Sequence, residues 1–290
     1  MIRLKTISLL LLTVLLTTGC QKETQSLSEG NAVYYWRTDL RLDSTERAFL
    51  HTYNIKKVYC RYFDVVIDSA RSLEPMPNAT ITFSDSLPEG IEMIPTVYIT
   101  ENCMHQRHKG LAEKLVKRIR QMNETNDIKG VREIQIDCDY TMNSLPTYYQ
   151  FLKEVRDAWG QRLSTTIRLH QLSMKTPPVD YGALMLYNTG DPRKWTERNP
   201  ILDIQDVSPY LKRLDRYPLP LAAAYPVFSW LRMINGLQIE HTVEAEEILK
   251  VKQAVEQRRE NLKRSIITYH LDKENINRYK PETYEEIYHH

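Results

Sequence analysis

The chain has 290 residues, 42% of them hydrophobic, which suffices for one large core. Its 39 basic and 37 acidic residues leave a formal net charge of +2, with no basic stripe interleaved with aromatics, so no nucleic-acid partner is expected. Only nine glycines occur, with neither Gly-x-Gly-x-x-Gly nor Gly-Lys-Ser/Thr among them, so no nucleotide and no cofactor is expected either.

At the start, Arg3 and Lys5 precede an apolar run from Ile7 to Leu16, too short to span a membrane comfortably. The segment closes Leu16-Thr17-Thr18-Gly19-Cys20. Residues 1–19 read as an export signal peptide, and 20–31 as a polar, Ser/Glu-rich flexible tether. The Gly-Cys ending resembles a bacterial lipobox, although Thr17 stands where that pattern usually has Leu. The resemblance implies lipidation at Cys20 and a place in the cell envelope, anchored to the outer membrane. Cys60, Cys103 and Cys138 then remain, an odd number that reads as free thiols, with Cys60 and Cys138 buried in apolar strand patterns. No paired Cys/His spacing occurs, so no metal is expected.

Residues 32–290 read as one domain. Ala32 to Arg37 is a first strand, followed by a helix whose start is marked by Asp43-Ser44-Thr45-Glu46. Ile55 to Phe63 is a second strand, ending near Asp64. Pro75, Pro77 and Pro88 then predict an irregular connection with a short strand near Thr80 to Phe83. Ile91 to Thr100 is a third strand, and Lys109 to Asn123 carries Leu111, Leu115, Ile119 and Met122 at helical spacing. Glu133 to Thr141 alternates Ile134, Ile136 and Cys138 on one side with Gln135, Asp137 and Asp139 on the other, a fourth strand with two acids at its end. A helix follows from Leu145 to Trp159. Leu163 to Leu172 is a fifth strand, on which Thr166, Arg168 and His170 share a face; Pro177 and Pro178 stunt the helix after it. Ala183 to Asn188, Leu219 to Phe228 and Ser265 to Leu271 complete the strands. Helices are predicted over Asp203 to Arg216, Thr242 to Lys263 and Pro281 to His289. Strands alternating with helices in this way predict a single closed (β/α)8 TIM-like barrel, with irregular connections after strands 2 and 5.

In such a barrel, functional groups gather at the carboxyl ends of the strands. Those ends carry Trp36, Arg61, Tyr98, Glu101, Asp137, Asp139, Arg168, His170, Tyr187, Asp191, Trp230 and His270. Acids, arginines and aromatics on one rim suit a carbohydrate better than a phosphate. Asp137 and Asp139, two apart on one strand, cannot ionise independently. The member farther from Arg168 should keep its proton to higher pH. Asp139, nearer the mouth, is assigned as general acid, with Asp137 as its electrostatic partner and Glu101, then Asp191, as the second carboxylate. Trp36, Arg61, Tyr98, Arg168, His170, Tyr187, Asp191, Trp230 and His270 are the expected substrate contacts.

The stretches Ile-Asp-Cys-Asp-Tyr-Thr, Thr-Ile-Arg-Leu-His-Gln, Leu-Met-Leu-Tyr-Asn-Thr-Gly and Val-Phe-Ser-Trp resemble a group of Gram-negative lipoproteins with no established activity. More distantly, the Asp-x-Asp of the fourth strand is similar to the chitinase-type glycoside hydrolases, which read Asp-x-x-Asp-x-Asp-x-Glu. Asp137 and Asp139 match the last two aspartates of that pattern. Thr141 stands in place of its catalytic Glu, and Ile134 in place of an earlier Asp, so the chitinase mechanism is not carried over. Two readings follow: a glycoside hydrolase-like enzyme using Asp139 with another rim carboxylate, or a non-catalytic lipoprotein that binds a glycan or a protein. An acid within reach of Asp139 across the mouth favours the first. A mouth with each acid locked to an arginine favours the second.

Overall fold

A computed structural model of the chain describes residues 30–68, 70, 73–191, 198–234 and 237–290. The expected export segment, Cys20 and most of the expected tether lie outside these residues. The domain is built on eight parallel strands: β1 Gly30–Tyr35, β2 Ile55–Val66, β3 Glu92–Ile99, β4 Glu133–Asp137, β5 Arg162–Arg168, β6 Tyr181–Met185, β7 Leu221–Pro226 and β8 Ser265–Tyr269. Each pairs with the next in the chain, and β1 pairs with both β2 and β8, which closes the expected (β/α)8 barrel. Closure removes every strand edge of the main ring.

Helices α1 Ser44–Thr52, α2 Leu111–Thr125, α3 Leu145–Trp159, α4 Ile204–Leu214, α5 Ala245–Arg258, α6 Lys273–Arg278 and α7 Pro281–Tyr288 cover the outside. The start of α1 is set as the sequence suggests. Asp43 Oδ1 accepts from Glu46 N at 2.9 Å, and Glu46 Oε2 accepts from Asp43 N at 2.9 Å, satisfying two otherwise orphaned donors. Helix α3 buries Tyr148, Tyr149, Phe151, Leu152, Val155 and Trp159 along one stripe. It stops at Gly160, whose φ of +75° is a left-handed turn that a side chain would disfavour. Outward-facing Ile134, Ile136 and Cys138 belong to the same continuous core as that stripe. Cys60, Cys103 and Cys138 are buried and free, and among the described residues no helix is long and apolar enough to cross a membrane.

The connection after β2 is irregular as expected, with no helix among its described residues: Met76–Asn78 pairs antiparallel with the end of β2, and Thr82–Phe83 pairs with Asp39–Leu40. Several boundaries differ from the sequence reading. Strand β5 ends at Arg168 and tightens into a 3-10 turn, Leu169–Ser173, so His170 does not share a strand face with Arg168. A β-hairpin, Trp230–Ile234 with Leu237–His241, extends the connection after β7. The long helix expected to reach Lys263 ends at Arg258 and gives way to a 3-10 turn, Glu260–Arg264.

Candidate functional site

The interior is organised by the inward face of β4. At the base, Glu133 is fully buried and accepts from Ser164 Oγ at 2.8 Å and from the Tyr181 hydroxyl, with Lys57 Nζ at 3.4 Å and Arg162 Nη1 at 3.6 Å. One step up, Gln135 Oε1 accepts from the Tyr34 hydroxyl at 2.8 Å. Asp137 follows, accepting from Thr166 Oγ1 at 2.6 Å. Asp139 lies just beyond the last paired residue and accepts from Arg168 Nε. Period two therefore stacks four polar side chains from base to mouth, each met by a donor. The last two differ in access: Asp137 is 5% exposed, whereas the Asp139 side chain is 44% exposed.

This difference sets the electrostatics. Burial pushes the Asp137 carboxyl up, Arg168 pulls it back, Asp139 pushes it up again, and the Thr166 bond pulls it down, for a value of about 6. Burial works against the charge of Arg168, but Asp139 and Asp137 together outweigh it and hold the guanidinium protonated. Burial, then Asp139 and Asp137, pushes the Tyr98 hydroxyl up to about 12. Burial and Arg168 both lower His170, which favours its neutral form. The expectation that Asp139 is the acid farther from Arg168 is overturned. Asp139 holds the arginine, and Asp137 is the buried member, whose carboxyl burial pushes up.

A second ion pair sits on β2. The ladder between β2 and β3 shifts register between Arg61 and Phe63, and this bulge lets residues three apart meet. Arg61 Nε donates to Asp64 Oδ1 at 2.8 Å, and its Nη2 donates to the other carboxylate oxygen. The same guanidinium lies 5.5 Å from the ring centroid of Trp36. Asp64, Tyr98 and Asp137 are register partners across β2, β3 and β4, so they lie at one level of the barrel.

Beside Asp139 opens a cleft of about 420 Å³, within the range of small-ligand sites. Asp139, Arg168, His170, Tyr187 and Trp230 from the expected set line it, joined by Leu169, Met185, Asn188, Thr189, Gly190 and Tyr210. Trp36, Arg61 and Tyr98 belong to the β1–β3 side of the same mouth. His270 is packed against Tyr269 and does not line the cleft, and burial lowers its pKa. Asp191 directly follows the cleft residue Gly190, and residues 192–197 after it lie outside the described ones.

Glu101 is placed differently. It lies in a 3-10 turn after β3, where it accepts from Thr141 Oγ1 at 2.9 Å and pairs with His105 Nε2 at 2.6 Å. Burial would raise its pKa, but hydrogen bonds from Ser144, Thr141 and His105 bring it below the usual carboxylate value. Its partner Thr141 is the residue that stands where the chitinase pattern has Glu, and it begins the turn that launches α3. Among the described residues, no cluster of three His, Cys, Asp or Glu side chains could hold a metal ion.

Sequence reasoning does not place Thr166 or Tyr210 in the site. Thr166 was legible as an inward neighbour of Arg168 two positions along β5. Tyr210 comes from a helix face that reads as core packing.

Fold and mouth together define a closed (β/α)8 barrel with a charged, aromatic cleft at the carboxyl ends of its strands. A chitinase from Bacteroides thetaiotaomicron superposes with a TM-score of 0.58 at 11% sequence identity, covering 89% of this chain and 96% of that one. A GH113 beta-1,4-mannanase superposes with a TM-score of 0.52 at 11% identity, covering 90% and 94%. At such identity the likeness is one of fold. The sequence matches no protein-family profile and no curated protein.

Proposed function

We propose that this protein binds a glycan in the cleft of Asp139, Arg168, Tyr187 and Trp230, and that it does so without cutting it. The observation that carries this reading is the pairing of the acids at the mouth. Asp139 is held by Arg168, Asp64 by Arg61, and Glu101 by Thr141 and His105. Each of these acids already has a partner in the fold, and Thr141 supplies a hydroxyl where the chitinase pattern has a carboxyl. What the cleft offers is a half-buried indole, a charge-balanced pair and hydroxyl and amide groups, which suit the apolar face and the hydroxyls of a sugar ring. The chitinase and mannanase among the structural neighbours make a β-linked hexose or N-acetylhexosamine chain the first class to try.

A second reading, hydrolysis, is favoured by one observation: Asp137 holds a proton up to about pH 6, as a general acid must. A panel of such oligosaccharides, scored both for binding and for cleavage, separates the two. Binding without cleavage, weakened about tenfold or more by Trp230→Ala, is the expected result. Cleavage abolished by Asp137→Asn would establish the enzyme instead, and no binding at all would end both readings.

The Gly19-Cys20 ending further supports anchoring in the cell envelope through a lipidated Cys20. Wild-type protein should take up fatty acid and fractionate with membranes, and Cys20→Ala should do neither. A wild-type protein that is soluble and unlabelled would refute the anchor.

A further inference from the structure

The cleft beside Asp139 is not the only cavity at the mouth. At the carboxyl end of β1, an open groove of about 830 Å³ is lined by Trp36, Arg37, Asp39, Arg41 and Glu46 among others. A line of aromatic rings joins the two. Trp36, in the wall of the groove, lies 5.6 Å from Tyr269 between ring centroids. Tyr269 lies 5.3 Å from Phe228, and Phe228 lies 6.3 Å from Trp230, in the wall of the cleft. Phe228 is buried beneath, while Trp36, Tyr269 and Trp230 are each partly open to solvent. Half-open rings spaced along a concave rim, with the buried Phe228 bridging Tyr269 and Trp230, leave apolar area for a ligand to cover.

From this row we infer that the groove at β1 is a second sugar subsite of the same site, and that the ligand is a linear, uncharged oligosaccharide lying across the barrel mouth from Trp230 to Trp36. The inference rests on the glycan reading above and specifies its ligand. Charge decides against a polyanion or polycation. In the groove Arg37 pairs with Glu46 at 2.7 Å and Arg41 with Asp39 at 3.4 Å, and in the cleft Arg168 pairs with Asp139. Each cation already has its carboxylate, so a charged ligand would have to break a pair to gain one. Hydroxyl groups need no such exchange, since they donate to the carboxylate and accept from the guanidinium of an intact pair.

The test is calorimetry on the full chain with a disaccharide and a hexasaccharide of one linkage, drawn in turn from β-1,4-linked glucose, mannose and N-acetylglucosamine series. The hexasaccharide should bind at least about tenfold tighter than the disaccharide. Trp36→Leu should bring the two affinities together, and Trp36→Phe should restore the difference. Equal affinities in the wild type, or a length advantage that survives Trp36→Leu, would overturn the inference while leaving the glycan reading standing. Should Trp36→Leu unfold the protein, the indole N–H signal of Trp36 in the wild type decides. The hexasaccharide must move it and the disaccharide must not; a signal unmoved by the hexasaccharide overturns the second subsite. If no sugar of either length binds, the glycan reading fails and this inference fails with it.

Discussion

Arg168 donates through Nε to Asp139 and not to Asp137, although both aspartates come from one strand and both act on its charge. The arginine arrives from β5 at the level of the mouth, where it meets the outer acid; the inner one is left with the hydroxyl of Thr166. Two like residues two positions apart thus have different surroundings. Asp139 is the paired, solvent-facing member, and Asp137 is the buried one with a carboxyl pushed up to about 6.

The first prediction concerns stability. The folded-state value of Asp137 is raised above the unfolded one, so between about pH 4 and 6 the native state binds more protons than the unfolded chain. Stability from this group is therefore fully present at low pH and lost as pH rises through about 6. Asp137→Asn removes the ionisable group and keeps its shape. The variant should be more stable than wild type at about pH 8, by up to roughly 3 kcal/mol, and the advantage should fade toward about pH 4. Urea unfolding of both proteins across that range checks it. A variant less stable than wild type in mild alkali would show that ionised Asp137 is welcome in the barrel.

The second prediction separates the two neighbours of Asp137 by sign. Arg168 lowers its pKa and Asp139 raises it. Arg168→Met should move the Asp137 titration upward, and Asp139→Asn should move it downward. Carboxyl carbon NMR of Asp137 in the two variants reads this directly. Shifts in the same direction would mean that the ion pair acts on Asp137 as one neutral unit.

The third prediction lies at the opposite end of the barrel. Glu133 is fully buried among Lys57, Arg162, Ser164 and Tyr181. Glu133→Gln leaves two cations facing a neutral amide and should cost about 3–5 kcal/mol. Lys57→Met should cost less, because the carboxylate keeps its other partners. Denaturant midpoints rank the two, and the reverse order would mean that Lys57 is the charge the base cannot do without.

Much of this barrel was legible from periodicity, and what was missed shares a physical cause. The alternation from Glu133 to Asp139 reports a strand face directly, and Asp43 with Glu46 names its own helix start. Arg168 was legible as a partner for the acids because it ends the neighbouring strand on the same side. Which acid it meets depends on height across the sheet, and period two says nothing about height between strands. The pairing of Arg61 with Asp64 depends on a bulge, which moves Asp64 by one position relative to β3 and leaves no mark in composition. The turn at Leu169–Ser173 continues the apolar alternation of β5 closely enough to read as strand. The hairpin that carries Trp230 follows an apolar run that already reads as β7, so the chain's reversal is hidden in it. Long-range packing settles all of these, and single-strand patterns do not encode it.

The last prediction concerns Glu101, whose place at the end of β3 made it the first choice as second catalytic carboxylate. Its oxygens accept from Thr141 at 2.9 Å and pair with His105 at 2.6 Å, and Ser144 adds a further hydrogen bond. Thr141 and Ser144 form the turn that starts α3, so the carboxylate ties the β3 loop to the β4 loop. A group held this way stays ionised, as a base or nucleophile must, but its oxygens are engaged by the two loops and it does not line the cleft beside Asp139. Because its folded-state pKa lies below the ordinary value, its contribution is present above about pH 4.3 and is lost as pH falls through the folded value. Glu101→Gln should therefore lower stability near neutral pH by about 1–2 kcal/mol, with the difference from wild type closing in acid. Affinity for the glycan should stay within a few-fold of wild type. Thermal melts at two pH values and one titration with the best-binding sugar are the measurements. Unchanged melts together with a lost cleavage activity would move Glu101 from the scaffold into the chemistry, and the barrel would then be a hydrolase.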